Sequence, residues 1–204
     1  MTSPDPDLGP RRFLLATAVA AMPHSPQGER PALAIARQKI IRLFTERLGY
    51  THVSDLGLNP DRNTLLDRLG AFADDPDRRP DDIVAVYLAG HGQLLGSTPR
   101  RHMFFPADAD LSKPKQALPT AQIASVLLDD TKITQLLLIL DTCHAGQGGA
   151  DAVGAALESL YRSLDDDPSG IAVIAAAQPA QQALADVFPG LLTAAVDSLS
   201  TAGE

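Results

Sequence analysis

One cysteine and one histidine, residue types that can act together in covalent catalysis, each follow a run of apolar residues. Cys143 is the only cysteine of the chain and comes after ITQLLLILDT (133–142). His91 stands between two glycines, after DIVAVYLAG (82–90). An apolar run that ends in polar residues is typical of a buried parallel strand, although periodicity alone leaves a helix open. We therefore expect both side chains at the carboxyl ends of strands, where open α/β sheets bind ligands.

These two residue types suit nucleophilic catalysis. A thiol attacks as its thiolate, and an imidazole within hydrogen-bond reach can take up the thiol proton. The glycines around His91 allow the backbone to approach a substrate closely. The backbone N–H groups of Gly92 and Cys143 could together form an oxyanion hole. His91 and Cys143 are thus the predicted catalytic pair.

The order and spacing of these motifs resemble a known family. YLAGHG (87–92) and LDTCHAG (140–146), with 52 residues from histidine to cysteine, resemble the catalytic motifs of the caspase-like cysteine peptidases. The likeness is strongest to the bacterial caspase-like proteins and metacaspases, which are C14-type peptidases of clan CD. Three further segments are similar to parts of that family: FFPADAD (104–110), IAVIAAAQPAQQALAD (171–186) and FPGLLTAAVDSL (188–199). Members of this family also have a histidine directly after the cysteine, as Cys143–His144 here, but the earlier histidine, His91 in this chain, acts in their catalysis. His144 is therefore expected to shape the turn.

The resemblance implies a fold and a domain organisation. It implies a caspase-like three-layer α/β/α sandwich with a mostly parallel central sheet, and the alternation of strand and helix patterns independently favours the same α/β class. Residues 1–10 are expected to be a flexible leader and 11–204 the peptidase domain. Because the family fold normally continues to a sixth strand, the chain is expected to be either a trimmed variant or, by preference, the front part of a longer protein. The remaining region would sense a signal or recruit a partner protein.

The resemblance also implies a substrate preference. In metacaspases and their relatives, an acidic residue two positions before the cysteine lies in the S1 pocket and selects Arg or Lys; here it is Asp141. A carboxylate at the base of a pocket discriminates strongly for a cation. The alternative is a strand-end aspartate that caps the next turn. A second S1 carboxylate matches Asp55 best, Asp61 competes, and either could instead be a solvent-exposed turn residue.

Composition limits the other function classes. A net charge of −8 disfavours nucleic-acid binding, and a single cysteine gives no sign of an oxidising compartment. We therefore expect a cytoplasmic protein with no nucleic-acid or membrane partner. The segment RRFLLATAVAAM (11–22) could be a twin-arginine or secretory signal, but the resemblance favours the first core strand.

No cofactor is expected. Calcium-dependent metacaspases carry a denser acidic cluster than Asp108, Asp110 and Asp151 provide, so calcium is compatible with the resemblance but unsupported. No zinc-ligand spacing is present.

The remaining segments give coarser predictions. Helices are predicted over 31–48, from Asn59 and Pro60 to 72, over 118–130 and over 151–164, and a short strand over 51–56. Residues 73–82 are predicted to form a charged surface loop, and 92–101 and 146–151 flexible segments. No motif in the sequence indicates a residue that would interact with His102, and this histidine is expected to be structural or exposed.

Together these features predict a cysteine endopeptidase that cleaves proteins after Arg or Lys through an acyl-enzyme. Two alternatives remain open: a catalytically silent caspase-like scaffold that docks or regulates a partner, and a dyad that hydrolyses a small ester or amide, since fold does not fix substrate.

Overall fold

The computed structural model describes residues 9–25, 29–97, 99–162, 170–178 and 187–202. Eight of the ten residues of the predicted leader, and part of the segment 171–186 that resembles the family, lie outside these ranges.

A five-stranded parallel sheet forms the centre of the fold. Its strands, in spatial order, are β2 (Thr51–Val53), β1 (Arg12–Ala18), β3 (Ile83–Gly90), β7 (Gln135–Thr142) and β8 (Gly170–Ala175). Nearly every side chain of β3 and β7 is buried, which explains their continuous apolar sequence. Both strands predicted to carry the catalytic pair therefore lie inside the sheet.

Helices cover both faces of this sheet. They are α1 (Ala32–Arg42, extended by a π-helical turn, Leu43–Arg47), α2 (Arg62–Ala73), α3 (Thr120–Leu128), α4 (Ala145–Arg162) and α5 (Val187–Ala202). Apolar residues of α2 and α3 pack with Leu15, Val86 and Leu138 on one face. Residues of α1 and α5 pack with Leu14 and Tyr87 on the other. The predicted three-layer α/β/α sandwich is confirmed.

Residues 92–101 are not the flexible loop that the sequence predicted. They include β4 (Gly92–Leu95), which pairs antiparallel with β5 (Arg101–Phe104), and β5 pairs in turn with β6 (Leu118–Pro119). The short apolar run of β4 is bounded by glycines, and its partner lies beyond a turn rich in Gly, Ser and Pro. The sequence of this segment is therefore typical of a loop, whereas the pairing of β4 and β5 depends on residues further along the chain, in β6.

The glycine-rich segment after Cys143 was also predicted wrongly as flexible. It is the first part of α4, which begins at Ala145 rather than near Asp151. A Cβ on Gly148 would lie 2.7 Å from His102 Nδ1, and one on Gly149 would lie 2.9 Å from Val173 Cγ1. These glycines permit close packing of a helix, which overrides their low helix propensity.

The acidic segment 73–82 is only partly a surface loop. Arg78 is 8% exposed, and its guanidinium lies 4.1 Å from the ring centroid of Phe13 and 4.5 Å from that of Phe72. Asp82 is fully buried and accepts hydrogen bonds of 2.7 Å from Arg11. The paired N-terminal arginines thus lead into β1, as the strand interpretation predicted.

Asn59 does not open α2 as predicted. The N-cap of that helix is Asp61, which accepts a 2.7 Å hydrogen bond from the Thr64 N–H. Asn59 instead adopts a left-handed conformation with φ of 52°, and its Oδ1 accepts hydrogen bonds from the N–H groups of Ala20 and Ala21 at 2.7 and 2.9 Å. It therefore holds the segment that leaves β1 at the carboxyl edge of the sheet.

We expect Asn59→Gly to lower the free energy of unfolding by about 1–3 kcal/mol, because two backbone donors lose their acceptor while glycine still permits the positive φ. Urea unfolding followed by circular dichroism measures the change. Asn59→Asp, which keeps Oδ1, is the matched control and should lose less. Equal stability of Asn59→Gly and the wild type would contradict the role of the amide oxygen.

Candidate active site

The pairing of β3 with β7 sets the positions of His91 and Cys143. The two strands run parallel in register, and their last pair is Gly90 with Thr142. His91 and Cys143 are the next residues of the two chains, and neighbouring strands lie about 4.8 Å apart. The structure therefore brings the two predicted catalytic residues to adjacent strand ends, at the carboxyl edge of the sheet.

Cys143 occupies the sharp turn between β7 and α4. It is 7% exposed, and His144 after it has a φ of 59°. The carbonyl oxygen of His144 accepts a 3.0 Å hydrogen bond from the Gln147 N–H at the start of the helix. His144 therefore shapes this turn. Because α4 begins two residues after Cys143, the positive end of its macrodipole lies close to this turn.

Gly92 packs directly against the backbone of Cys143. A Cβ on Gly92 would lie 2.5 Å from the Cys143 carbonyl oxygen and 3.0 Å from the Thr142 Cβ. Only a glycine fits such a close approach without displacing its neighbours. The two residues predicted to donate the oxyanion hydrogen bonds are thus in contact, and that role stays a prediction.

His102 is fully buried beside this turn, with both ring nitrogens in hydrogen bonds. Its Nε2 lies 2.9 Å from the Cys143 carbonyl oxygen, and its Nδ1 lies 2.7 Å from Thr120 Oγ1. Burial lowers the pKa of His102, an effect that its hydrogen bond to the Cys143 carbonyl and the charge of Asp151 partly oppose and that the nearby His144 reinforces. Sequence reasoning allowed a structural role for this histidine but did not find its contact with the nucleophile.

Asp141 lies on the opposite face of the sheet from His102. It is 2% exposed, and its Oδ2 accepts a 2.8 Å hydrogen bond from the Tyr87 hydroxyl on β3. Burial, the charge of Asp141 and this hydrogen bond raise the pKa of Tyr87 well above its ordinary value, so the hydroxyl stays protonated and donates. The prediction for Asp141 did not include Tyr87 as its partner.

The two candidates for a second S1 carboxylate, Asp55 and Asp61, lie on other elements than Cys143. Asp55 is exposed, in the 3₁₀ turn Ser54–Leu56 that follows β2, and β1 and β3 separate that strand from β7. Asp61 accepts hydrogen bonds from the N–H and the hydroxyl of Thr64. Both residues thus lie on elements other than β7, which carries Asp141, and the role of Asp55 stays a prediction.

Two acidic residues weighed as calcium ligands take part in local hydrogen bonds. Asp108 accepts from the Arg62 N–H at 3.0 Å. Hydrogen bonds from Ser112, with the nearby Lys113, lower the pKa of Asp110 to about 2. Among the described residues, no three His, Cys, Asp or Glu side chains are grouped so that they could hold a metal ion.

Comparison with known protein families agrees with this geometry. The family model of the Peptidase_C14 caspase domain matches residues 24–196, which include both strand ends and the turn at Cys143. The chain belongs to the caspase-domain family of peptidases. The caspase domain is a cysteine-type peptidase, a hydrolase that acts on protein substrates. A comparison with curated proteins gave no match. None of the helices in the described ranges is long and apolar enough to cross a membrane.

The lowered pKa of His102 gives this caspase domain a pH-dependent stability. An unfolded histidine binds a proton below about pH 6.5, whereas buried His102 resists it. Its contribution is therefore complete above pH 6.5 and is lost as the pH falls toward the lower, folded-state pKa. We expect the wild type to lose more unfolding free energy than His102→Gln between pH 7.5 and 5.5.

Urea unfolding of both proteins at the two pH values tests this expectation. The comparison isolates His102, since His52, whose pKa burial also lowers, is present in both proteins. Identical losses in the two proteins would contradict it.

Proposed function

We propose that this caspase domain is an endopeptidase that cleaves proteins after Arg or Lys, with Cys143 as nucleophile and His91 as general acid and base. The observation that carries the proposal is the register of β3 and β7, which ends at Gly90 and Thr142 and leaves His91 and Cys143 on neighbouring strand ends. A bacterial, metacaspase-like origin and a cytoplasmic location are part of the proposal and rest on the sequence motifs and the single cysteine.

The reaction follows from these groups. The Cys143 thiolate adds to the scissile carbonyl carbon, and the developing oxyanion accepts hydrogen bonds from the N–H groups of Gly92 and Cys143. His91, which holds the thiol proton, protonates the leaving amine as the C–N bond breaks. Water, deprotonated by His91, then hydrolyses the thioester and releases the new carboxyl terminus and the free thiol.

The preference for a basic P1 residue is assigned to Asp141. Its carboxylate is buried one residue before the end of β7, where it accepts a hydrogen bond from Tyr87. A guanidinium or ammonium group of a P1 side chain would form an ion pair with this carboxylate, and an ion pair in such a desolvated place discriminates strongly against neutral side chains.

Replacing the nucleophile tests the mechanism. We expect Cys143→Ala to abolish hydrolysis of a fluorogenic peptide with Arg at P1, and His91→Asn to lower kcat by about 10²–10⁴-fold, because proton transfer to the leaving amine is lost. Initial rates are measured with and without calcium. Unchanged turnover by Cys143→Ala would refute the assignment, whereas folded wild type that cleaves no peptide would favour the silent-scaffold alternative.

Replacing Asp141 tests the specificity. We expect Asp141→Asn to lower kcat/KM for an Arg peptide by about 10²–10³-fold, because the substrate cation would be left without its buried counter-charge. The same substitution should change kcat/KM only slightly for a peptide with citrulline, the neutral isostere of Arg, at P1. Tyr87→Phe removes only the hydrogen bond to Asp141 and should give a smaller loss, of about tenfold.

Equal losses on the two peptides would contradict the S1 role of Asp141. Asp55→Asn, measured on the same pair, shows whether the exposed second carboxylate contributes.

A further inference from the structure

A buried polar cluster lies behind the nucleophile, on the face of the sheet opposite Asp141. It consists of His102 on β5, Thr120 at the start of α3, and Thr142 with the backbone of Cys143 at the end of β7. All three side chains are buried. The histidine contacts each of the others: Nδ1 lies 2.7 Å from Thr120 Oγ1, and Nε2 lies 2.9 Å from the Cys143 carbonyl oxygen and 3.2 Å from Thr142 Oγ1.

We propose that His102 is a positioning residue, whose Nε2–H donates to the Cys143 carbonyl oxygen and fixes the peptide unit that sets the orientation of the nucleophile. The inference rests on the proposed function, in which the thiol and the N–H of Cys143 both act on the substrate.

The contacts determine the tautomer of the ring. A backbone carbonyl oxygen can only accept, so the hydrogen bond to Cys143 requires the proton on Nε2. In the neutral ring Nδ1 is then an acceptor, and the Thr120 hydroxyl donates to it. The Cys143 carbonyl therefore requires this tautomer, and the hydrogen bond from Thr120 to Nδ1 supports it.

The peptide unit that His102 holds precedes a residue with an unfavourable backbone conformation. It joins Cys143 to His144, whose φ of 59° is costly for a residue with a Cβ. Rotation of this peptide would relieve His144, and it would also turn the carbonyl of Cys143 away from His102 and change the backbone conformation of the nucleophile. The hydrogen bond from Nε2 opposes that rotation.

The surroundings leave the ring little freedom. A Cβ on Gly92 would lie 2.4 Å from Nε2, and one on Gly148 would lie 2.7 Å from Nδ1, so two glycines provide its space. The backbone N–H of His102 donates a 2.7 Å hydrogen bond to Asp151 on α4, which fixes β5 against the helix that follows the nucleophile. Since Nε2 faces the Cys143 carbonyl rather than a substrate, His102 is not a second general base.

Two replacements separate the chemistry of Nε2 from the volume of the ring. Glutamine can place its amide N–H₂ near the position of Nε2, whereas the shorter asparagine reaches only that of Nδ1. We expect His102→Asn to lower kcat by about 10²-fold with KM unchanged. The value of kcat is calculated per active site, and the active sites are counted by titration with an irreversible inhibitor that carries Arg at P1. His102→Gln should recover most of that loss, and Arg101→Gln, an exposed neighbour on β5, is the surface control.

A second measurement does not depend on peptidase activity. Cys143 is the only cysteine, so its carbamidomethylation by iodoacetamide is followed by intact mass. We expect His102→Asn to slow this reaction about tenfold, because a displaced thiol loses the groups that favour its thiolate, and His102→Gln to react almost as fast as the wild type.

The outcomes are distinguishable. Equal kcat per active site and equal alkylation rates for the Asn and Gln variants would overturn the positioning role. If the wild type cleaves no peptide, the proposed function fails, and the alkylation rates alone still decide the role of His102. Should His102→Asn not fold, Thr120→Val takes its place, since it frees Nδ1 without changing the size of the side chain. Thr120→Val is expected to slow the alkylation of Cys143, and Thr120→Ser is expected to restore the rate. Equal alkylation rates of Thr120→Val and Thr120→Ser would overturn the proposal.

Discussion

The parallel pairing of β3 with β7 is the constraint on which the rest of the active site depends. The register runs without interruption from Ile83 with Gln135 to Gly90 with Thr142. Since side chains alternate between the faces of a strand, a slip of one residue would exchange the faces of Asp141 and Thr142 and separate His91 from Cys143. The apolar side chains on both faces prevent that slip, because it would place each of them opposite the wrong layer of helices.

The end of β7 is held by polar groups on both sides of the sheet. On the side of α1 and α5, Tyr87 donates to Asp141. On the other side, His102 contacts Thr142 and the Cys143 carbonyl. Buried polar groups are costly unless their hydrogen bonds are satisfied, and when satisfied they specify one arrangement more strictly than apolar packing does. Cys143 therefore follows a strand end that is held by hydrogen bonds on both faces of the sheet.

Much of this organisation could be predicted from the sequence, because it rests on local patterns. The apolar runs before His91 and Cys143 identified both strands, and the family motifs gave the three-layer fold. The predictions failed where the environment of a residue is determined by a contact with a residue that is distant in the sequence. Residue 148 is a glycine within a helix because His102 occupies the space where a Cβ would be. Arg78 is buried because two aromatic rings and Asp82 surround it. No local pattern indicated a partner for His102, and the pairing of β5 with β4 brings it to the turn.

The separation of β3 and β7 along the chain links catalysis to the completion of folding. Residues 91–134, with the small sheet and α3, lie between the two strands. Closing such a loop is entropically unfavourable until the central strands can pair, so parallel contacts of this range form slowly. On the ribosome, β3 emerges well before β7, and His91 has no thiol beside it until β7 is synthesised and pairs with β3. In the proposed mechanism a nascent caspase domain is consequently unable to cleave its neighbours, because Cys143 and His91 meet only in the folded sheet.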